Sequence, residues 1–154
     1  EHSVSTRIAE VFLAALARQK MVEVDRLDLW GCALPEVDSD LLAAKYAGLA
    51  GEPLSPEQTA AWGRIRKLAE RFHRADTLLF SVPLWNFGIP YRLKHYIDVV
   101  WQPGFIFKYT ENGPVGLAAG RKAFIVSTRG GDYSAGTPAE AFDHVTPYLK
   151  TVLG

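Results

Sequence analysis

The stretch Pro83-Leu84-Trp85-Asn86-Phe87 gathers two aromatic rings and an amide side chain into one short segment, closed downstream by Gly88 and Pro90. An apolar run, Thr77 to Val82, leads into it, and an amphipathic stretch, Tyr91 to Val100, leads out. That pattern predicts a strand, a turn and a helix in succession. In open α/β sheets, ligands bind in the crevice outside the carboxyl ends of the strands. A flat ring ligand suits such a turn, because aromatic side chains pack its faces and backbone amides meet its polar edge. The competing reading makes Trp85 and Phe87 core residues. A loop bracketed by two prolines favours binding instead.

Two further segments carry chemistry. Ser3-Val4-Ser5-Thr6, preceded by His2, opens the first helical pattern. Hydroxyls and free amides at a helix start form an anion site reinforced by the helix dipole, although plain capping by Ser3 or Ser5 accounts for the same residues. Thr128-Arg129-Gly130-Gly131-Asp132-Tyr133 follows the last apolar run. Paired glycines let a backbone approach a ligand closely, and their amides can stabilise negative charge there, while an ordinary turn is equally consistent.

Other chemistries lack their residues. No HExxH, CxxC or paired-histidine pattern is present, so no metal site is expected; His2, His73, His95 and His144 are scattered. His95, at helical spacing beside Lys94 and Asp98, is expected to face solvent. Ser3 has no GxSxG context, and neither a Walker loop nor GxGxxG occurs. No side chain stands out as a catalytic acid, base or nucleophile.

The chain has 154 residues, 48% hydrophobic and 22% charged, which allows one domain with a real core. Its 17 basic and 17 acidic residues cancel. Zero net charge gives no general attraction to nucleic acid or anionic membrane, so neither is an expected partner. The single cysteine, Cys32, excludes an internal disulfide and suits a reducing compartment. No apolar run reaches the roughly 18 residues of a membrane span, and no leader is expected; the default location is cytoplasmic.

Ile8, Val11, Phe12, Ala15 and Leu16 predict a first helix from about Ser5 to Arg18. Val22 to Leu29 reads as a short strand and Gly31 to Val37 as a loop. Ser39 to Ala50 predicts a small helix. Ser55, Pro56 and Glu57 start a longer one, with Ala61, Ile65, Leu68, Ala69 and Phe72 on its apolar face to about Arg74. Phe105 to Tyr109 alternates before the turn Glu111-Asn112-Gly113-Pro114. Lys122 to Thr128 predicts a third buried strand, and a last helix is expected from about Pro138 to Leu153. This alternation predicts an α/β class with a doubly wound parallel sheet. In strand order 2-1-3-4-5 the first helix follows strand one. The sheet is therefore expected to lack its first and last strands in this chain, the whole of 1–154 forming one domain truncated at both ends.

Together these segments resemble the FMN-dependent NADH azoreductases, a branch of the flavodoxin-like quinone reductases. Besides the three loops, the resemblance is carried by Leu93-Lys94-His95-Tyr96-Ile97-Asp98, Phe107-Lys108-Tyr109-Thr110-Glu111-Asn112-Gly113-Pro114 and Thr146-Pro147-Tyr148-Leu149. It runs through nearly the whole chain in order. It implies a flavodoxin-like fold with FMN as cofactor. Ser3, Val4 and Ser5 are similar to the family's phosphate loop. Pro83, Leu84, Trp85, Asn86 and Phe87 are similar to its ring-binding loop, with Leu84 and Trp85 where Met and Tyr are commoner. Thr128, Arg129, Gly130 and Gly131 are similar to the loop at the pyrimidine edge. Tyr109 is similar to an aromatic that reaches the active site of a partner subunit in a homodimer, and Tyr133 falls in the same substrate-side class. The implied activity is two-electron ping-pong reduction of quinones and azo compounds, with NADH or NADPH as donor. A flavin-binding electron carrier or redox sensor, and a non-catalytic dimerisation fragment, are the alternatives.

Overall fold

The computed structural model describes Ser3–Gly154. Along the chain come α1 (Val4–Gln19), α2 (Ser39–Ala50), α3 (Pro56–Arg74), β1 (Thr77–Pro83), α4 (Tyr91–Val100), β2 (Phe107–Thr110), β3 (Gly113–Gly116), β4 (Lys122–Thr128), a 3-10 turn (Glu140–Phe142) and α5 (Val145–Leu153). They group into two compact units.

The first unit comprises residues 1–26, 77–91 and 122–154. Its centre is β1 paired parallel with β4, in register from Thr77 opposite Lys122 to Pro83 opposite Thr128. The pairing and its sense agree with adjacent strands of a doubly wound sheet, and among the described residues no strand precedes α1 or follows α5. The expected strand at Val22–Leu29 does not form. A ladder needs a partner, and the described residues supply none where strand one would lie. Nor is β4 buried along its length: its first half is exposed, and the ring of Phe124 lies tilted 5.0 Å from that of Phe12 on α1.

On α1 the inward face is Ser5, Ala9, Phe12 and Leu16; Ile8 and Val11, expected inside, are exposed. Small side chains at Ser5 and Ala9 let the helix sit close to its neighbours. The last helix is shorter than expected. Pro147 has no amide hydrogen and would clash with the carbonyl one turn back, so a helix cannot run through Asp143; Pro147 fits only in a first turn. The chain therefore makes a 3-10 turn, extends at Asp143, and starts α5 at Val145, where Val145 and Leu149 are fully buried.

The second unit comprises residues 27–76 and 92–121. Its longest element, α3, opens with a reciprocal capping box: Ser55 accepts from the Gln58 amide while the Gln58 side chain accepts from the Ser55 amide. Ala61, Ile65, Ala69 and Phe72 are buried as the spacing required, with Leu68 at the margin. Full burial of a side chain such as Ile65 or Phe72 stabilises by roughly 1.5–3 kcal/mol. The β2–β3 hairpin turns at Glu111-Asn112, with Gly113 at φ +103°, where only glycine is relaxed. Around it, His73 Nε2 lies 2.7 Å from the Phe105 carbonyl, and the Arg121 guanidinium donates to the carbonyls of His73 and Ala75. His95 is not the solvent-facing residue its spacing suggested. Its Nε2 lies 2.8 Å from the Pro35 carbonyl and the ring is partly buried.

Candidate functional site

All three loops singled out in the sequence belong to the first unit. The aromatic loop begins as β1 ends. The Leu84 amide donates to the Thr128 carbonyl at 2.8 Å, so this loop and the arginine-glycine loop leave the sheet side by side. The next residues form a two-residue reversal. The Trp85 amide donates to the Gly88 carbonyl and the Gly88 amide to the Trp85 carbonyl, both at 2.9 Å. Between them Asn86 has φ +47° and Phe87 φ +69°. Asparagine tolerates the left-handed region; phenylalanine does not, and such a residue costs on the order of 1–2 kcal/mol. The end residues make the closing bonds, so the amides of Asn86 and Phe87 are not consumed by the turn. Trp85 is 46% and Phe87 48% exposed, which rules out the core reading.

The arginine-glycine loop is braced from within. Arg129 pairs with Asp143 at 2.8 Å, donates to the Thr146 hydroxyl at 2.8 Å, and lies over the Tyr133 ring at 5.8 Å. Asp143 also accepts from the Val145 and Thr146 amides at 3.0 and 3.1 Å. Those are orphan donors of the first turn of α5, whose own N-cap, His144, supplies no side-chain acceptor. Burial alone would raise the Asp143 pKa. The hydrogen bonds from Thr146 and Val145, with the nearby Arg129 charge, outweigh it and hold the carboxyl below its ordinary value. Beside this brace lies a cleft of about 460 Å³, lined by Ser127, Tyr133 and Thr146 among others.

At the start of α1, Ser3 is the N-cap and accepts from the Thr6 amide at 3.2 Å. Its hydroxyl also meets those of Ser5 (3.2 Å) and Thr6 (2.7 Å). Ser5 is fully buried and Val4 exposed. The capping reading thus describes what Ser3 does here, while the first-turn amides of Val4 and Ser5 have no acceptor within the helix. His2 lies outside the described residues. Tyr109 belongs to the second unit, on β2, 66% exposed with its ring edge-on to Phe107.

Three observations fit a flat, polar-edged cofactor in the first unit. The turn presents two exposed rings and two uncommitted amides. A Cβ on Gly130 would meet nothing within 4 Å, so the protein itself does not require glycine there. The buried Ser127 hydroxyl, beside the cleft, has no hydrogen-bond partner among the described residues. Sequence reasoning missed the segment Glu140–Thr146, which touches both loops: Phe142 packs on Phe87 at 5.4 Å, the His144 amide donates to the Phe87 carbonyl at 3.0 Å, and Asp143 holds Arg129. Only Pro147 hinted at it, by forbidding the continuous helix.

The flavodoxin-like fold family matches residues 1–154. An FMN-dependent NADH:quinone oxidoreductase of Pseudomonas syringae pv. tomato is 47% identical over 152 residues, covering 98% of this chain and 73% of that protein. One from Burkholderia lata is 45% identical, covering 99% and 75%. Among solved structures, an azoreductase from Bacillus anthracis superposes with a TM-score of 0.88 at 35% identity, covering 99% of this chain and 74% of the other. A second B. anthracis protein, an FMN-dependent NADH-azoreductase in complex with FMN, gives 0.86 at 28% identity, covering 98% and 73%. The chain belongs to the flavodoxin-like fold family, alongside the FMN-dependent NADH:quinone oxidoreductases.

Proposed function

We propose that this chain is an FMN-dependent NAD(P)H oxidoreductase that reduces quinones and azo compounds by two-electron ping-pong transfer, NADH being the donor named for its relatives. The observation that carries the reading is the exposed, strained Trp85–Gly88 reversal lying beside the Arg129-Gly130-Gly131 loop. Bound FMN would supply the hydride and electron chemistry, and the protein supplies orientation and electrostatics. Leu84, Trp85 and Phe87 would pack the ring. The Asn86 and Phe87 amides would meet its polar edge. Pro83 ends the strand and opens the loop. Thr128, Arg129, Gly130 and Gly131 would line the neighbouring side of the site, where their backbone amides could favour negative charge on a bound ring, as oxyanion-hole donors do. Ser3, Val4 and Ser5 would face the phosphate through the helix-start amides. No side-chain acid or base is assigned, and protons come from solvent.

We read 1–154 as a single FMN-binding domain, supported by the family match across its whole length. A homodimer is proposed from the exposed Tyr109, which would reach a partner's site; Tyr133, beside the cleft, is placed on the substrate side. The proposed location is cytoplasmic, in keeping with a single unpaired cysteine, and no described helix is long and apolar enough to cross a membrane.

The test is anaerobic stopped flow on the FMN-reconstituted protein. NADH should bleach the flavin absorbance rapidly, and a quinone added afterwards should restore it. Stable flavin colour that NADH does not bleach would instead identify an electron carrier or sensor. Failure to retain colour after soaking in excess FMN would end the flavoprotein reading.

A further inference from the structure

Phe87 holds a left-handed backbone (φ +69°) that its side chain disfavours, so something outside the reversal must fix it. The candidates lie on the segment entering α5. The His144 amide donates to the Phe87 carbonyl at 3.0 Å, fixing the strained residue itself. The Phe142 ring meets the Phe87 ring at 5.4 Å and 40°. Phe142 is 50% exposed, so this contact does not belong to the core. Between the two, Asp143 is tied to Arg129 and to the first turn of α5, which is anchored by fully buried Val145 and Leu149. The segment is thus rigid at its far end and touches the aromatic turn at its near end.

We infer that Phe142 and the His144 amide are positioning groups: they clasp the aromatic turn in its ring-binding geometry and lock its spacing from the arginine-glycine loop. The inference rests on the reading of that turn as the flavin site. Preorganisation of this kind raises affinity by removing the cost of ordering the loop at binding. His144 acts through its backbone, so its side chain is dispensable.

Four variants separate these roles. His144→Pro deletes the amide hydrogen at a residue that precedes the helix and has negative φ (−97°), and His144→Ala keeps it. Phe142→Ala removes the ring contact, and Phe142→Leu restores an apolar one. Amide hydrogen exchange on the FMN-free protein reads the order of the turn through the hydrogen-bonded amides of Trp85 and Gly88. FMN fluorescence quenching reads affinity. We expect His144→Pro and Phe142→Ala each to speed that local exchange and weaken FMN binding by about tenfold. His144→Ala should behave as wild type, Phe142→Leu should recover most of the loss, and the thermal midpoint should move little. Exchange and affinity within about twofold of wild type in both damaging variants would overturn the inference. Faster exchange with unchanged FMN affinity would overturn it too, by separating order in the turn from binding. If wild type itself fails to quench FMN, the proposed function falls and takes the binding half of the inference with it, while exchange still decides whether the clasp exists.

Discussion

Removing the Asp143 carboxylate should destabilise the protein by an amount its contacts allow to be divided. Asp143→Ala deletes the acceptor for the Val145 and Thr146 amides and the partner of Arg129. Loss of a helix-start acceptor costs about 1 kcal/mol. Loss of a largely buried charge partner adds about 1–2 kcal/mol, because Arg129 keeps only the Thr146 hydroxyl and the Tyr133 ring. The sum is about 2–3 kcal/mol, or roughly 4–12 °C in thermal midpoint for a chain of this size. Asp143→Asn keeps a neutral acceptor and should lose only the charge share, about half as much. The carboxyl is held below its ordinary pKa, so the ionised group stabilises the folded state. That contribution is complete above the unfolded value of about 4 and disappears as pH falls through the lower folded value. Urea unfolding followed by circular dichroism, at neutral pH and in a descending series below about pH 4, measures both effects. Equal losses for Ala and Asn, or an Ala-to-wild-type gap that does not shrink toward the helix-start share in strong acid, would refute the division.

Ser55→Ala should cost about 1 kcal/mol by opening the capping box of α3, read as a lower thermal midpoint. Asn86→Val should cost about 1–2 kcal/mol at its positive φ while Asn86→Gly is neutral or mildly stabilising, compared by chemical denaturation. Gln102 is buried, with an unpartnered Oε1 and an Nε2 that donates to the Asp98 carbonyl. Gln102→Met should therefore change stability by less than about 1 kcal/mol, and a loss well beyond that would show that Oε1 has a partner in solution.

Local signals made most elements legible. Ser39–Ala50 formed where its composition placed it, Ser55-Pro56-Glu57 marked the start of α3, and the apolar run from Thr77 became β1. Failures came where the decisive interaction is distant in sequence. Val22–Leu29 has strand composition, but composition cannot supply a ladder partner. Ile8 and Val11 lie at helical spacing, but which side of a broad apolar stripe faces inward depends on the neighbouring elements. His95 had a remote carbonyl to find. For the candidate site, residue type singled out the aromatic turn and the paired glycines, which leave the sheet side by side. It could not reveal the left-handed Phe87 or the segment that grips it, since those contacts join residues far apart along the chain.

The two units alternate along the chain. The polypeptide passes from one to the other at Arg26–Leu27, Asp76–Thr77, Tyr91–Arg92 and Arg121–Lys122. Neither unit can therefore be expressed as one continuous stretch, and a cut at Asp76–Thr77 or Tyr91–Arg92 severs both. Each crossing is also a covalent leash that shortens the search of the remaining pieces for one another. Grafting either unit of this chain into another protein would mean moving its separated segments together rather than one module.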